Sequence, residues 1–246
     1  MKIISGVYWD KGKREWNQDS VTLQQALMWR GRTALAVVSD GIGGLDEGET
    51  ASGYIVERLV ENFYGQMLAL LGRGKGKKAL TKSILRCFCN ISRELGSYGE
   101  SKGISLGATV SVLFFWRKHY LLFHLGDSRI YLLHKGRQKQ LTRDHSARGG
   151  ITKCMGSFGF QYPDIYSGRV RRKSGFLLCT DGFYRNMEGR FFRALAPEDI
   201  ENEEQIARRL RGIGQAVKEK GENDNLSAVY MVMNGRFYGK NFMSQV

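Results

Sequence analysis

The apolar residues of this chain fall mostly into short continuous runs. "KIISGVY" (2–8), "TALAVVS" (33–39), "ATVSVLFF" (108–115), "HYLLFHL" (119–125), "RIYLLH" (129–134), "GFLLCT" (175–180) and "LSAVYMVM" (226–233) are rich in β-branched and aromatic residues and are bounded by Gly, Asp or Lys. That composition and punctuation predict strands. Several runs follow one another across short polar gaps, as antiparallel meanders do. Two longer segments have a different period. In "ALTKSILRCFCNISREL" (79–95), Leu80, Ile84, Phe88, Ile91 and Leu95 recur every three or four residues, and residues 48–71 do the same through Ile55, Leu59, Phe63 and Met67. This spacing predicts amphipathic helices. A third helix is expected near 203–220, after Pro197 and ending at "EKGEND". Strands, two helices, strands, then a helix and a last strand suggest helices packed on an antiparallel sheet or sandwich, not a βαβ repeat.

With 246 residues, 42% hydrophobic and 11% aromatic, the chain can bury a core. No run reaches the roughly 18 apolar residues of a membrane span. The start "MKIISGVYWDKGK" reads as a first strand and not as a signal peptide, so a cytoplasmic location is expected. Cys87, Cys89, Cys154 and Cys179 contain no C-x-x-C pair, which argues for buried thiols over a zinc site. No internal repeat or long linker appears. A single domain is expected over 1–246, with motifs from 3 to 233 and a short tail at 234–246.

The net charge of +14 favours an anionic partner: phosphoprotein, nucleic acid or acidic lipid. Basic clusters lie at 72–78, 169–173 and 207–211. "LGRGKGKKA" (71–79) fails as a phosphate loop, because Leu71 stands where Gly is required and Lys78 where Ser or Thr is required. No nucleic-acid-binding motif accompanies the charge, so nucleic acid is disfavoured as a partner. A cysteine phosphatase is disfavoured as well. Cys154 comes nearest to C-x-x-x-x-x-R, but position 160 is Phe.

Five aspartates share a context. Asp19 lies in "REWNQDS", Asp40 follows "ALAVVS", Asp127 lies in "HLGDSRIY", Asp181 follows "GFLLCT", and Asp224 precedes the last strand in "GENDNLSAV". Singly, each is an ordinary turn residue. Jointly, an apolar run followed by Asp-Gly occurs twice. If the strand ends gather, so do the carboxylates, and like charges raise each other's pKa. Two divalent cations would balance four of these aspartates. Oxygen ligands without paired His or Cys favour Mg²⁺ or Mn²⁺.

The segments "REWNQDS", "VVSDGIGG", "SLGATVSVLFF", "FHLGDSRIYLL", "LTRDHS", "LLCTDGF" and "ENDNLSAV" occur in order. Together they resemble the signature segments of the metal-dependent protein serine/threonine phosphatases of type 2C, the PPM family, in its compact bacterial form. The resemblance implies an α+β fold: a central β-sandwich of two antiparallel sheets flanked by helices. It implies two Mn²⁺ or Mg²⁺ ions, with Asp40 bridging them, the Gly41 carbonyl, Asp181 and Asp224 as ligands, and Asp19 holding the ions directly or through water. Asp127 matches the position linked to a third, weaker ion, and Arg14 the arginine that binds substrate phosphate. Two ions about 3.5–4 Å apart share a water, lower its pKa and aim it at phosphorus. The implied partner is a phosphoprotein tied to a serine/threonine kinase, with a monomer expected.

Two departures stand out. Leu45 occupies the place where the family commonly carries a His that can protonate the leaving oxygen, a role worth about 10²–10⁴ in rate. The flap segment that usually follows "DHS" is shortened to "DHSARGGITKCMG", near 146–156. His145 in this motif is expected to be structural. The alternative reading is a non-catalytic or weakly active phosphoprotein-binding regulator on the same fold.

Overall fold

The computed structural model describes residues 2–29, 31–147 and 150–234. The expected tail therefore lies almost wholly outside the described residues. Along the chain come β1 (Lys2–Asp10), β2 (Asp19–Met28), β3 (Gly31–Asp40), α1 (Gly48–Asn62), a π-helical turn (Phe63–Met67), α2 (Leu68–Gly72) and α3 (Lys77–Lys102). Then follow β4 (Gly107–Ala108), β5 (Val110–Trp116), β6 (His119–Leu125), β7 (Arg129–His134), β8 (Arg137–Gln140), β9 (Ser146–Ala147), β10 (Gly150–Ile151), β11 (Met155–Gly156) and β12 (Asp164–Arg169). The chain closes with β13 (Ser174–Cys179), α4 (Asp181–Tyr184), α5 (Gly189–Ala194), α6 (Glu203–Glu219) and β14 (Leu226–Asn234). Among the described residues no helix is long and apolar enough to cross a membrane.

Two antiparallel five-stranded sheets carry the fold, ordered β1-β14-β13-β7-β8 and β12-β6-β5-β3-β2. Their interior strands read as continuous apolar runs because both faces are covered. In β3, Ala34, Ala36 and Val38 point between the sheets with Leu113, Phe115, Phe176 and Val229, while Leu35 and Val37 point outward. The outward set packs under α1 and α3 through Ile55, Leu59, Ile84 and Phe88. On the other side, α6 lays Ile206, Leu210, Ile213 and Val217 on Ile4, Leu177, Tyr230 and Val232. The layers are thus helix, sheet, sheet, helix, as the resemblance implies. The expected helix at 203–220 starts from a side-chain cap, Asn202 Oδ1 accepting from the Gln205 amide at 2.9 Å.

The shortened segment after "DHS" closes as a small hairpin of β9 and β10. The Thr152 amide returns to the His145 carbonyl at 2.8 Å. Within the two five-stranded sheets the pattern missed β2, β8 and β12, which are both edges of the second sheet and one edge of the first; it also missed the two-residue strands β9, β10 and β11.

Candidate metal centre

The register of β2 against β3 sets Asp19 directly opposite Asp40. Asp181 and Asp224 come from the other sheet, one at the start of α4 just after β13, the other two residues before β14. Asp127 lies in the turn between β6 and β7. The five aspartates expected to gather do so at one end of the sandwich, since their carboxylates act on one another's ionisation. Asp40 is pushed well above the ordinary carboxylate range by burial, then by Asp19, Asp181, Asp127 and Asp224. Burial raises Asp19 to about 7, with Asp181 and Asp224 adding to it. Burial and then Asp181 raise Asp127 to about 6. Asp181 is raised too, chiefly by burial.

Backbone and neutral side chains hold these groups. Thr180 Oγ1 donates to Asp19 Oδ2 at 2.9 Å. The Asp40 amide donates to Thr109 Oγ1 at 3.1 Å. The Gly126 amide donates to His145 Nδ1 at 3.2 Å, and the His145 amide to the Gly126 carbonyl at 2.7 Å, which pins the turn carrying Asp127. His145 thus takes the structural place expected of it. Gly41 is required by packing: a Cβ there would meet the Gly48 backbone at 2.6 Å, where α1 begins.

Two arginines enter the cluster. Arg14 Nε and Nη2 donate to the two oxygens of Asp224, both at 3.0 Å, a fork matched to a carboxylate or a phosphate. Arg185, which sequence reasoning missed, pairs with Asp181 one helical turn before it. It also lies 3.6 Å from Glu222 and 3.9 Å from Asp224. Glu222 and Asn225 were missed as well. Glu222 Oε1 accepts from the amides of Asn223 and Asp224 at 3.0 and 3.1 Å. Asn225 clamps the Arg14 loop: Oδ1 accepts from the Gln18 amide at 2.8 Å, and Nδ2 donates to the carbonyls of Lys11 and Trp16 at 2.9 and 3.0 Å. The only signals in sequence were the i, i+4 spacing of Asp181 and Arg185 and the Asn-rich "ENDN".

The cluster fits a divalent cation on chemical grounds. Its donors are hard oxygens, several are held against ionisation, and Asp19 Oδ1 is buried with no hydrogen-bond partner. An unpaired buried carboxylate oxygen is costly unless something positive faces it. With Arg14 and Arg185 on Asp224 and Asp181, no three His, Cys, Asp or Glu side chains among the described residues converge on one point. Thiol chemistry has no support here. Burial pushes Cys87 up to about 12 and raises Cys154 and Cys179. Leu45 sits half-buried in the turn after Gly44. Glu47, two residues after Leu45, accepts from Tyr98 and Lys102 at 2.7 and 2.9 Å.

The family profile described as Protein phosphatase 2C matches residues 12–230. A serine/threonine phosphatase stp of Listeria monocytogenes is 32% identical over 170 residues, 60% of this chain and 66% of that protein. The stp of Listeria innocua is 29% identical over the same shares. In three dimensions the chain is similar to serine/threonine phosphatase Stp1 from Staphylococcus aureus, with a TM-score of 0.80, 21% identity and 96% of each chain covered. It is also similar to the catalytic domain of the phosphatase PstP, solved in complex with two manganese ions, with a TM-score of 0.74, 22% identity and 95% and 99% coverage. The family match and these relatives support a protein serine/threonine phosphatase of bacterial type. The chain belongs to the protein phosphatase 2C family.

Proposed function

We propose that this chain hydrolyses phosphoserine and phosphothreonine in proteins, using two Mn²⁺ or Mg²⁺ ions held at the carboxylate cluster, with no phosphoenzyme. Asp40 would bridge the ions, Asp181, Asp224 and the Gly41 carbonyl would complete their ligands, Asp19 would hold them directly or through water, and Asp127 would serve a weaker third ion. When bound, the ions supply charge neutralisation and a shared water made acidic enough to attack phosphorus at neutral pH. The protein's own residues do the rest. Thr180 orients Asp19, and Thr109 fixes the backbone of Asp40. Arg14 holds phosphoryl oxygens through its planar fork once it exchanges Asp224 for substrate. The Asn225 clamp keeps that loop over the carboxylates. The reading is carried by Asp19 and Asp40 paired across β2 and β3, with Asp19 keeping one buried oxygen unpartnered. The proposed partner is a phosphoprotein linked to a serine/threonine kinase, met in the cytoplasm by a monomeric enzyme.

A second reading, a phosphoprotein-binding regulator of little activity, draws on Leu45 and on the arginines that satisfy Asp181 and Asp224 without ions. Phosphate release from a phosphothreonine peptide, with Mn²⁺ and with EDTA, separates the two. Hydrolysis that requires Mn²⁺ and is lost in Asp181→Asn is expected. No hydrolysis across pH and metals while Mn²⁺ still binds would favour the regulator.

A further inference from the structure

The two ends of the sandwich differ in charge. Strand β3 runs from Gly31 to Asp40, about 30 Å at the usual strand rise, so its Gly31 end lies far from the carboxylates. Four connections meet there. Trp29, Gly31 and Arg32 line one small cavity with Leu71, Trp116 and Arg117. Lys77 Nζ donates to Ser167 Oγ at 2.7 Å. Arg169 pairs with His119, and the Val170 amide donates to the Lys118 carbonyl at 2.8 Å. These contacts gather Trp29, Gly31 and Arg32, "GRGKGKK" (72–78), Arg117 with Lys118, and "RVRRK" (169–173). None of the four segments contains Asp or Glu.

Among the described residues, Arg32, Arg73, Arg117, Arg169, Arg171 and Arg172 form no ion pair with a carboxylate. His119 senses the local field: burial, then Arg169 and Arg117, hold its pKa below the ordinary value. Two apolar side chains project from the same end of β2, Leu27 at 77% exposure and Trp29 at 68%. The patch ends at Glu198, whose carbonyl accepts from Lys173 Nζ at 3.3 Å.

We propose that this basic pole docks on an anionic lipid surface, with Leu27 and Trp29 entering the interface and the carboxylate site facing away from it. Charge complementarity demands an anionic partner. The apolar tips select lipid over nucleic acid. Tryptophan is favoured at the headgroup level, and an exposed leucine beside it finds acyl chains there, but nothing apolar on a phosphate backbone. The cations also come from four separate segments instead of one helix, which suits a fluid layer of headgroups better than a fixed phosphate register. A phosphatase seated this way would meet phosphoproteins held near the same surface.

Sedimentation of the full chain with phosphatidylglycerol-containing vesicles, against phosphatidylcholine vesicles, tests the proposal. Binding to the anionic vesicles alone, falling steeply with salt, is expected. Arg169→Glu with Arg171→Glu and Arg172→Glu should weaken it roughly 100-fold. Leu27→Ser with Trp29→Ser should weaken it about tenfold while leaving any affinity for duplex RNA unchanged. Arg171→Gln with Arg172→Gln provides a milder variant should the reversal disturb folding, which the melting curve reports. Equal binding to both vesicles, no binding, or full binding by both charge variants overturns the proposal. So does tighter binding to RNA than to vesicles, which would assign the pole to nucleic acid. None of these readouts depends on phosphate release, so failure here is distinct from failure of the proposed hydrolysis.

Discussion

Asn225 touches no aspartate of the cluster through its side chain, yet three of its hydrogen bonds decide where Arg14 stands. Its amide group ties the backbone of Lys11, Trp16 and Gln18 to the turn that presents Asp224. Without it, a donor and two acceptors of a partly buried loop must find water or go unpaired. An unsatisfied buried group costs about 1–3 kcal/mol, so Asn225→Ala is expected to lose stability in that range, read from a urea transition. The functional effect should fall on substrate binding. Arg14 is set by the loop, while the carboxylates keep their own supports at Thr180 and Thr109. KM for a phosphopeptide should rise several-fold with a smaller change in kcat, and Asn225→Asp, which sets a carboxylate oxygen against the Lys11 and Trp16 carbonyls, should do at least as much harm. A change in kcat alone would show that the clamp serves the carboxylates instead of Arg14.

At the scale of elements, the turn from β13 into α4 leaves no room for a side chain. A Cβ on Gly182 would meet the Asn225 carbonyl at 2.2 Å and Asp224 Cβ at 2.9 Å, whereas one on Gly189, at the start of α5, would meet nothing within 4 Å. Gly182→Ala is therefore expected to cost about 1–3 kcal/mol and to shift Asp224. Gly189→Ala should be neutral or stabilising by up to about 1 kcal/mol. Paired thermal melts check both, and equal melting temperatures would refute the packing argument. The same contrast explains what was legible in the sequence. Interior strands such as β3 and β5 are covered on both faces and announce themselves as apolar runs. The edge strand β2, "DSVTLQQALM", is half-buried along most of its length and carries no such signal. The helix expected over 48–71 contains a π-helical turn at Phe63–Met67, which a 3.6-residue period cannot reveal. At the site, Asp40 and Asp181 were legible because Asp-Gly follows an apolar run. Asn225 acts through contacts to Lys11, Trp16 and Gln18 that no local pattern encodes, whereas Arg185 and Glu222 use short-range pairs, with Asp181 and with the amides of Asn223 and Asp224, that are too common in sequence to mark a site.

For the molecule as a whole, folding forces the charges of five aspartates together, and that cost depends on pH. Asp19, raised to about 7, and Asp127, raised to about 6, bind protons more tightly in the folded protein than their ordinary value of 3.8 allows when unfolded. Between pH 4 and 7 these carboxylates hold more protons in the folded state than in the unfolded one, so their contribution to stability falls as pH rises; His124, held at about 4 by burial and His145, works the other way up to about pH 6.5, as do His119 and His145, each lowered by burial, but the raised carboxylates of the cluster outnumber them. The contribution of these two groups is fully present below about pH 4 and is lost as pH climbs through 6 to 7. Asp10 and Asp164, lowered once their partners outweigh the opposing effect of burial, act with the opposite sign, but their loss of stability comes below pH 4. In EDTA the melting temperature should therefore decline from pH 5 to pH 7.5. Saturating Mn²⁺ should reverse that decline. Ligand at 100 times its Kd adds about 2.7 kcal/mol, and the gain should be larger at pH 7.5, where protons compete less for the carboxylates. Asp40→Asn should remove most of the Mn²⁺ shift and part of the decline in EDTA, because one charge has left the cluster. A Mn²⁺ shift that survives unchanged in Asp40→Asn would remove Asp40 from the ligands. A pH profile of melting temperature in EDTA that is the same in Asp40→Asn as in the unaltered chain would mean that Arg14 and Arg185 already neutralise the site, with no charge left for a cation to balance.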